Sequence, residues 1–530
     1  MAFARTTAAL VLLAGLACSA QGQTYLNLAA TPDGDARPCA TMLSDGGRAL
    51  AHGRADPLTG STDFQVTRYN ATGAAVWSTR IGSGFSETPT AVLELPSGDL
   101  VVVGSTFPFG AGGRTILVAK LTPTGALAWA NQYVGDHING PGAAVNTDGE
   151  IVITSGYESG FPKQIGQVLK IDSNGNQIFN LGFQMLKDSL DESIELTDVV
   201  VTGGGLIVAA GSFSRLQGSS FVTDPFVLTV RTDGTFEQAK VLPGLSTPAD
   251  GDQREVFTGI RALPDGNFHA MGDLDDLFTS EGRVFHVELS ADFDPVNAWT
   301  IGLFGGSIYT APRSLDVDAQ GNLVATGSRA VGDGNLRMWM WSVFPSGVTR
   351  WRTGIALVDG YFEQGGDIVA TTDSSGAPAY WAVGSRVADL SDPGDLLSAR
   401  LDATGRINCS DEDLFGFAGG AAFSSSAIQP ERVIALGSPV TWTVSVSTVS
   451  LAETEICSTN PCPADFDGSG FVDSDDFVFF IDQFTRGCTG PGVGALGPDP
   501  LCFKSADFDD TGFVDSDDFV AFIDAFSQGC

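Results

Sequence analysis

The chain has 530 residues, 43% of them hydrophobic and 66 of them glycine, which is typical of a mainly β protein with several domains or one large repeat array. Its 63 acidic and 28 basic residues give a net charge of -35, which excludes nucleic acid and anionic membrane surfaces as partners because no basic stripe could neutralise them. The excess of carboxylates favours solubility and divalent cations.

Residues 1–22 have the pattern of a signal peptide. Arg5 supplies a positive charge, a short apolar run follows, and small residues lead up to Gly22. The run is too short to span a bilayer, and no other stretch approaches about 20 apolar residues. A lipid anchor at Cys18 is the alternative, but Leu16 stands where a small residue is usual. The pattern predicts a secreted, extracellular or cell-surface protein without a membrane span.

Residues 24–457 repeat one pattern, marked by a short strand that ends in glycine. The marker recurs every 51 to 61 residues, and a turn sequence such as SDGG or PSGD precedes it. A second alternating strand and another glycine turn follow, so each repeat predicts four strands joined by tight hairpins. Repeats of this kind, each one small sheet, indicate a β-propeller. The markers are Gly53, Gly104, Gly156, Gly211, Gly272, Gly327, Gly384 and Gly437.

Eight markers predict an eight-bladed ring, with seven blades as the alternative. The last repeat lacks a clear fourth strand, and TYLNLAA from Thr24 has the form of a spare fourth strand. We therefore expect the two chain ends to complete one blade together, which removes the open edges of an incomplete ring. A bridge from Cys39 or Cys409 to Cys457 could fasten this closure, and the sequence leaves both pairings open.

Tryptophan stands four residues after the turn glycine in three repeats, where we expect it to fill the gap between blades. The repeats resemble the delta-60-type propeller repeats of secreted bacterial proteins and, more distantly, quinoprotein-like repeats. This resemblance covers residues 24–457 and implies a fold, not an activity. The three pairs are Gly73/Trp77, Gly125/Trp129 and Gly347/Trp351.

No catalytic motif stands out in the repeats, so the catalytic residues are unknown from sequence. The histidines His52, His137, His269 and His286 show no triad or metal-ligand spacing, and His52 and His269 are predicted to be packing or surface residues. Neither G-x-S-x-G nor H-E-x-x-H occurs.

The ring is therefore interpreted as a non-catalytic surface that binds a ligand, such as carbohydrate, or displays one. The alternative is a polysaccharide-acting hydrolase, a glycoside hydrolase or related enzyme, with paired carboxylates roughly 5 to 10 Å apart at the propeller mouth. A cluster of two or three carboxylates at one mouth would favour the enzyme, and a merely polar axis would favour binding.

Residues 458–530 contain nearly the same acidic phrase twice, DFDGSGFVDSDD and DFDDTGFVDSDD. EF-hand calcium loops take oxygen ligands from positions 1, 3, 5, 7, 9 and 12, with glycine at position 6. Both copies match every position, so we predict two Ca²⁺ ions. The predicted ligands are Asp465, Asp467, Ser469, Phe471 (carbonyl), Asp473 and Asp476 in the first loop, and Asp507, Asp509, Thr511, Phe513 (carbonyl), Asp515 and Asp518 in the second.

Each loop is followed by a predicted helix with one phenylalanine-rich stripe. Apolar residues recur at i, i+3, i+4 and i+7 in both copies, and we expect the two stripes to pack together. The stripes are Phe477, Phe480, Ile481 and Phe484, and Phe519, Phe522, Ile523 and Phe526.

Two half EF-hands in tandem at the end of an exported chain resemble a dockerin, most closely a cysteine-bearing dockerin-like variant, over roughly residues 462–530. The resemblance implies calcium-dependent docking to a cohesin-like or cell-surface receptor through loop positions 10 and 11. Serine or threonine at position 5 and the long link TGPGVGALGPDP depart from the family pattern. The implied partner-binding residues are Ser474, Asp475, Ser516 and Asp517, and the implied disulfides are Cys462–Cys488 and Cys502–Cys530.

The sequence thus predicts a mainly β chain in which a β-propeller at 24–457 is joined to a small α-helical calcium-binding dockerin-like domain at 458–530.

Overall fold

The computed structural model describes most of the repeat region and parts of the C-terminal segment. No helix among the described residues is long and apolar enough to cross a membrane. The described residues are 25–29, 35–55, 61–107, 115–133, 142–158, 164–184, 192–217, 220–243, 253–276, 281–303, 310–330, 336–355, 362–372, 376–387, 395–406, 411–412, 416–420, 426–428, 432–435, 440–441, 445–448, 454–458, 474–487, 506–508 and 513–528.

The strands up to residue 401 form the repeat units. They are β1 Tyr25–Ala29, β2 Asp35–Met42, β3 Arg48–Ala55, β4 Thr62–Tyr69, β5 Ala75–Gly82, β6 Ser86–Glu94, β7 Leu100–Phe107, β8 Thr115–Leu121, β9 Leu127–Tyr133, β10 Gly142–Val145, β11 Ile151–Glu158, β12 Gln164–Ile171, β13 Gln177–Gln184, β14 Glu192–Val201, β15 Leu206–Gln217, β16 Ser220–Arg231, β17 Phe236–Val241, β18 Gln253–Ala262, β19 Phe268–Asp276, β20 Glu281–Leu289, β21 Pro295–Leu303, β22 Thr310–Val317, β23 Leu323–Ala330, β24 Leu336–Val343, β25 Thr349–Ile355, β26 Phe362–Thr372, β27 Pro378–Val387 and β28 Asp395–Leu401.

Shorter strands and two helices follow. They are β29 Asp411–Glu412, β30 Gly416–Gly420, β31 Ser426–Ile428, β32 Arg432–Ala435, β33 Val440–Thr441, β34 Ser445–Thr448, β35 Thr454–Ser458, α1 Ser474–Thr485 and α2 Ser516–Gln528.

The long strands form seven antiparallel four-stranded units around a common axis. Units 1 to 6 are β2–β5, β6–β9, β10–β13, β14–β17, β18–β21 and β22–β25, and unit 7 is β26–β28 with β1 as its fourth strand. The first strand of each unit contacts the first strands of both neighbouring units, and β26 contacts β2 to close the cycle. These seven first strands are called the inner strands below. Units 4 and 5 are also joined by one parallel pairing between Thr223 and Arg254.

Apolar side chains fill every junction between neighbouring units. Seven separate buried clusters occur, and each combines residues of two adjacent units. At the closing junction, Leu50 and Tyr69 of unit 1 pack with Trp381 and Val383 of unit 7. Burial of this apolar surface is the main force that holds a unit to its neighbours, because one four-stranded sheet cannot cover both of its faces.

The marker glycines lie opposite a bulge in the inner strand. In unit 4 the register shifts between Leu196 and Asp198, and Leu196 pairs with the marker Gly211. A Cβ at Gly211 would overlap the carbonyl oxygen of Glu195, so a larger residue does not fit. Equivalent shifts occur in units 1, 2, 5, 6 and 7. The glycine repeat in the sequence therefore reports a repeated bulge around the axis.

The prediction that tryptophan fills the gaps between units is confirmed. Trp77 of unit 1 lies against Gly125 of unit 2, where an added Cβ would meet the indole ring, and its Nε1 donates to the carbonyl of Pro123 at 2.9 Å. Gly125 has a φ of 83°, which glycine adopts without strain. The same contact is made by Trp129 on Gly175 and by Trp351 on Gly405.

The two chain ends meet in one blade as expected, but that blade is unit 7 and not an eighth repeat. Strand β1 pairs with β28 on one side and with the C-terminal β35 on the other.

The expectation of eight blades is not confirmed, because the described strands make seven four-stranded units, the number given as the alternative. The short strands after residue 410 do not build an eighth sheet. They add a fifth, outer strand to each unit in reverse order, from β29 on unit 6 through β34 on unit 1 to β35 on unit 7. Gly437, the eighth marker, lies outside the described residues.

The helices α1 and α2 pack through their phenylalanine stripes, as predicted. The rings of Phe480 and Phe522 stack with centroids 3.9 Å apart and planes 4° apart, and both side chains are buried. The rings of Phe477 and Phe526 flank this stack, and their centroids lie 6.1 Å from each other.

One of the two open disulfide pairings is wrong. Cys39 is a free, buried thiol on the inner strand β2, whereas Cys457 lies on the outermost strand of unit 7, opposite Leu26. Burial raises the pKa of the Cys39 thiol well above its usual value, and its Sγ donates to the carbonyl of Ala51 at 3.5 Å. Cys409 and the predicted pairs Cys462–Cys488 and Cys502–Cys530 lie outside the described residues.

Candidate active site

A cavity of about 440 Å³ lies on the axis and is lined by all seven inner strands. This volume is within the range of small-molecule sites in proteins. At the bulges of units 2 and 5, Thr90 and Thr258 line the wall of the cavity.

The charged lining of this cavity is confined to units 4 to 7. Units 1 to 3 contribute uncharged residues such as Ala91 and Gly142, so one wall is weakly polar and the other is ionic. The charged residues are Asp198, Arg254, Arg261, Asp273, Arg313, Asp316 and Asp367.

Asp198 and Arg261 form the central ion pair. The Nη1 of Arg261 lies 2.6 Å from Oδ2 of Asp198, and the same oxygen accepts a hydrogen bond from the backbone N of Ile260 at 2.9 Å. Burial disfavours the charged guanidinium, but Asp198, Asp316 and Asp367 together raise the pKa of Arg261. Three carboxylates thus surround one guanidinium at the axis.

Asp316 lies on the opposite side of Arg261, with Oδ1 3.9 Å from its Nε. Oδ2 accepts from the backbone N of Ala370 in unit 7 at 2.8 Å, and Oδ1 accepts from the backbone N of Val317 at 2.9 Å. Burial raises the pKa of Asp316 above its usual value, although Arg261 and the backbone donors oppose this rise.

Asp367 is the carboxyl group most suited to carry a proton near neutral pH. Burial raises its pKa to about 6, while the hydrogen bond from the Ser314 hydroxyl opposes the rise. Its Oδ2 accepts from the backbone N of Ala40 at 2.8 Å, and its Oδ1 accepts from the backbone N of Ile368 at 2.9 Å. Asp367 therefore holds units 6, 7 and 1 together at the cavity wall.

This arrangement places acids with different environments in one cavity. Asp198 is ion-paired with Arg261, whereas Asp367 contacts only uncharged donors among the described residues. Such a difference is what separates a proton donor from a carboxylate base in acid–base catalysis.

The sequence did not point to these residues. Asp198, Arg261, Asp316 and Asp367 belong to four different repeats, and they meet only when the ring closes. The signal that could have found them is positional, because Asp198 and Asp367 both directly follow the bulge of their inner strand. An alignment of the repeats by bulge rather than by marker glycine would place these two side chains at the same point of the ring.

The histidines lie away from the cavity. His52 and His269 are buried, in agreement with the packing role predicted for them. The sequence missed that His269 and His286 face each other across β19 and β20, with Nδ1 of His269 2.7 Å from Nε2 of His286. Burial lowers the pKa of both rings, so the pair is uncharged at neutral pH. His137 lies outside the described residues.

Only part of the predicted calcium loops is described. In the second loop, buried Asp518 accepts from the backbone N of Phe508 at 2.6 Å through Oδ1 and from that of Asp515 at 2.7 Å through Oδ2. Asp507 and Phe513 are also described. Asp476 is the third residue of α1. Asp465, Asp467, Ser469, Phe471, Asp473, Asp509 and Thr511 lie outside the described residues.

The four predicted partner-binding residues lie at the helix starts. Ser474 and Asp475 begin α1, and Ser516 and Asp517 begin α2. Both residues of the second pair are exposed.

No family model matches the chain, and no curated protein matches it. Solved structures do align with it. A polysaccharide lyase of family PL25, an ulvan lyase bound to -[GlcA(1-4)Rha3S]-, is 11% identical over 69% of this chain and 94% of its own, with a TM-score of 0.43. An alpha-L-arabinanase of Penicillium chrysogenum is 11% identical over 72% and 98%, with a TM-score of 0.41. The GH93 alpha-L-arabinofuranosidase of Fusarium graminearum is 12% identical over 72% and 98%, with a TM-score of 0.39.

The interpretation of the ring as a non-catalytic binding or display surface is corrected here. A cluster of two or three carboxylates at one mouth of the ring was expected to favour an enzyme, and four aspartates line the axial cavity. The carboxylate cluster favours the hydrolase alternative over a non-catalytic ring.

Proposed function

We propose that the chain is a polysaccharide-acting hydrolase whose catalytic carboxylates are Asp367 and Asp198. The observation that carries the proposal is the pairing of two unlike acids in one cavity. Asp367 has a pKa of about 6 and can hold a proton, and Asp198 is ion-paired with Arg261 at 2.6 Å. Glycosidic bonds are cleaved by such pairs, with one acid protonating the leaving oxygen and one carboxylate acting on the opposite side.

In this mechanism Asp367 donates its proton to the glycosidic oxygen as the bond from that oxygen to the anomeric carbon breaks. Asp198 accepts a proton from the water that attacks the anomeric carbon. Arg261 keeps Asp198 oriented, since its Nη1 donates both to Asp198 and to the carbonyl of Ile260. Ser314 and the backbone N of Ala40 hold the Asp367 carboxyl at the wall. The products are two shorter chains, one with a new reducing end.

The test is release of reducing ends from a panel of neutral and anionic polysaccharides. Asp367→Asn and Asp198→Asn should each lower the rate by about 100-fold or more, because each removes a proton-transfer group. Asp224→Asn is the matched control, since Asp224 is a buried aspartate paired with Arg215 but does not line the cavity. Equal rates for all three variants, or no cleavage of any polysaccharide by the folded protein, would contradict the proposal.

We also propose that the C-terminal module binds two Ca²⁺ ions through the twelve ligands predicted from the sequence. The described part of the second loop is compatible with a cation. Asp518 is buried, and the backbone N atoms of Phe508 and Asp515 hold its two oxygens at the inside of the loop. A bound Ca²⁺ would neutralise the four carboxylates that each loop gathers. Calorimetric titration with Ca²⁺ should show one site in Asp518→Ala, which loses a predicted ligand. Asp517→Ala should keep both sites, because Asp517 is exposed and is not a predicted ligand.

The dockerin resemblance supports a further part of this proposal, namely attachment of the exported hydrolase to a cohesin-like or cell-surface receptor. The residues that would contact the receptor are Ser474, Asp475, Ser516 and Asp517. The test is capture of a receptor from the cell envelope by the full chain, with Ca²⁺ and with chelator. Capture that needs Ca²⁺ and fails when all four residues are changed to alanine supports attachment, and equal capture by the quadruple variant contradicts it.

A further inference from the structure

The inner strands carry different residues at their bulges. In units 2, 4 and 5 the bulged residue is threonine, and in unit 7 it is Gly366. Each threonine hydroxyl donates to a backbone carbonyl, as Thr197 does to Phe257 at 2.5 Å. In unit 1 the register shifts between Ala36 and Cys39, so Arg37 and Pro38 lie at the bulge. In unit 6 the register shifts between Pro312 and Ser314, and the bulged residue is Arg313.

Arg313 also has no internal partner in the described part of the chain. Its side chain lines the cavity and is exposed, and it makes no ion pair or hydrogen bond with a described residue. Of the other two arginines in the lining, Arg261 is engaged by Asp198 and Asp316. Among the described residues, Arg313 is therefore a cation without an ion-pair partner. It directly precedes Ser314, whose hydroxyl donates to Asp367.

We propose that Arg313 binds an anionic group of the substrate, so that the polysaccharide carries carboxylate or sulfate substituents. This inference rests on the proposed hydrolase function. A guanidinium presents two parallel N–H donors that match a carboxylate or a sulfate, and such charged hydrogen bonds are the strong ones.

The experiment compares Arg313→Gln and Arg313→Lys with the full-length wild type on matched polymers. Polygalacturonate is tested against its carboxyl-reduced form, and a sulfated galactan against its desulfated form, so that the two anionic groups are distinguished. Arg313→Gln should raise KM for the preferred anionic polymer by roughly 10- to 100-fold with little change in kcat, and Arg313→Lys should recover part of this loss. Arg406→Gln is the control, since Arg406 is exposed and does not line the cavity.

Binding is measured separately by calorimetry with Asp367→Asn, with and without Arg313→Gln. If anionic polymers bind through Arg313 but nothing is cleaved, the hydrolase proposal fails and this inference stands as binding specificity. If a neutral polymer is cleaved as well as its anionic form, and Arg313→Gln leaves KM unchanged, the hydrolase proposal stands and this inference is overturned. Binding of all polymers that is independent of Arg313 also overturns it.

Discussion

At Asp367, burial and hydrogen bonding act on the same carboxyl in opposite directions. Burial raises its pKa to about 6, and the bond from Ser314 lowers it by favouring the charged form. Removal of that bond should therefore raise the pKa further, so Ser314→Ala should shift the alkaline limb of the kcat/KM profile to higher pH. The measurement is hydrolysis between pH 4 and 9. An unshifted alkaline limb in Ser314→Ala would mean that Asp367 does not supply the proton. Glu87→Gln is the control, because Glu87 lies outside the cavity and its loss should leave the alkaline limb in place.

Glu87 offers a test at the same scale that does not depend on catalysis. Its side chain is buried, it accepts from the hydroxyls of Ser83 and Thr106, and burial raises its pKa to about 7. The folded protein therefore binds this proton more tightly than the unfolded chain, and the free energy of unfolding falls as pH rises from about 4.5 to 7. Glu87→Gln should stabilise the protein by about 1–3 kcal/mol at pH 8 and much less at pH 4. Denaturation at both pH values measures this, and an equal effect at the two would refute it.

At the scale of the strand, the marker glycines can be tested against glycines that only shape turns. Gly211→Ala places a methyl group on the carbonyl of Glu195, so the inner strand must shift, at a cost of about 1–3 kcal/mol or more. Gly203→Ala is the matched control in the same unit, because nothing lies within 4 Å of its Cβ position. It should change stability by less than about 1 kcal/mol. Urea unfolding of both variants decides the matter, and similar losses would show that the bulge does not need glycine.

Local patterns at this scale were predictable, whereas partners across the ring were not. Hairpins, marker glycines and the Trp77 contact follow from spacing along one repeat, and so does the phenylalanine stripe of α1. The encounter of Asp198 with Arg261 depends on which unit follows which around the axis. It also depends on a bulge that flips side chains relative to a regular strand. No sequence period encodes those two facts together.

At the scale of the whole molecule, the outer strands explain why eight markers give seven units. The segment from residue 411 to 458 contains strands of two to five residues, each paired with the fourth strand of a different unit. Such short strands resemble a weak repeat when they are read along the chain. Their pairing order runs against the order of the units, which a sequence cannot disclose. The expected closure by Tyr25–Ala29 was predictable because that segment matches the missing fourth strand.

These outer strands should protect the ring from association through its edges. A chain that ends at Arg406 loses the fifth strand of every unit and leaves β1 without β35, so seven fourth strands become exposed edges. A chain that ends at Ser458 keeps all of them and loses only the helical module. We expect the shorter chain to self-associate in light scattering and to unfold several degrees lower, while the longer chain stays monomeric with an unchanged Tm. If both behave alike, the outer strands add no stability, and the seven apolar junctions alone hold the ring closed.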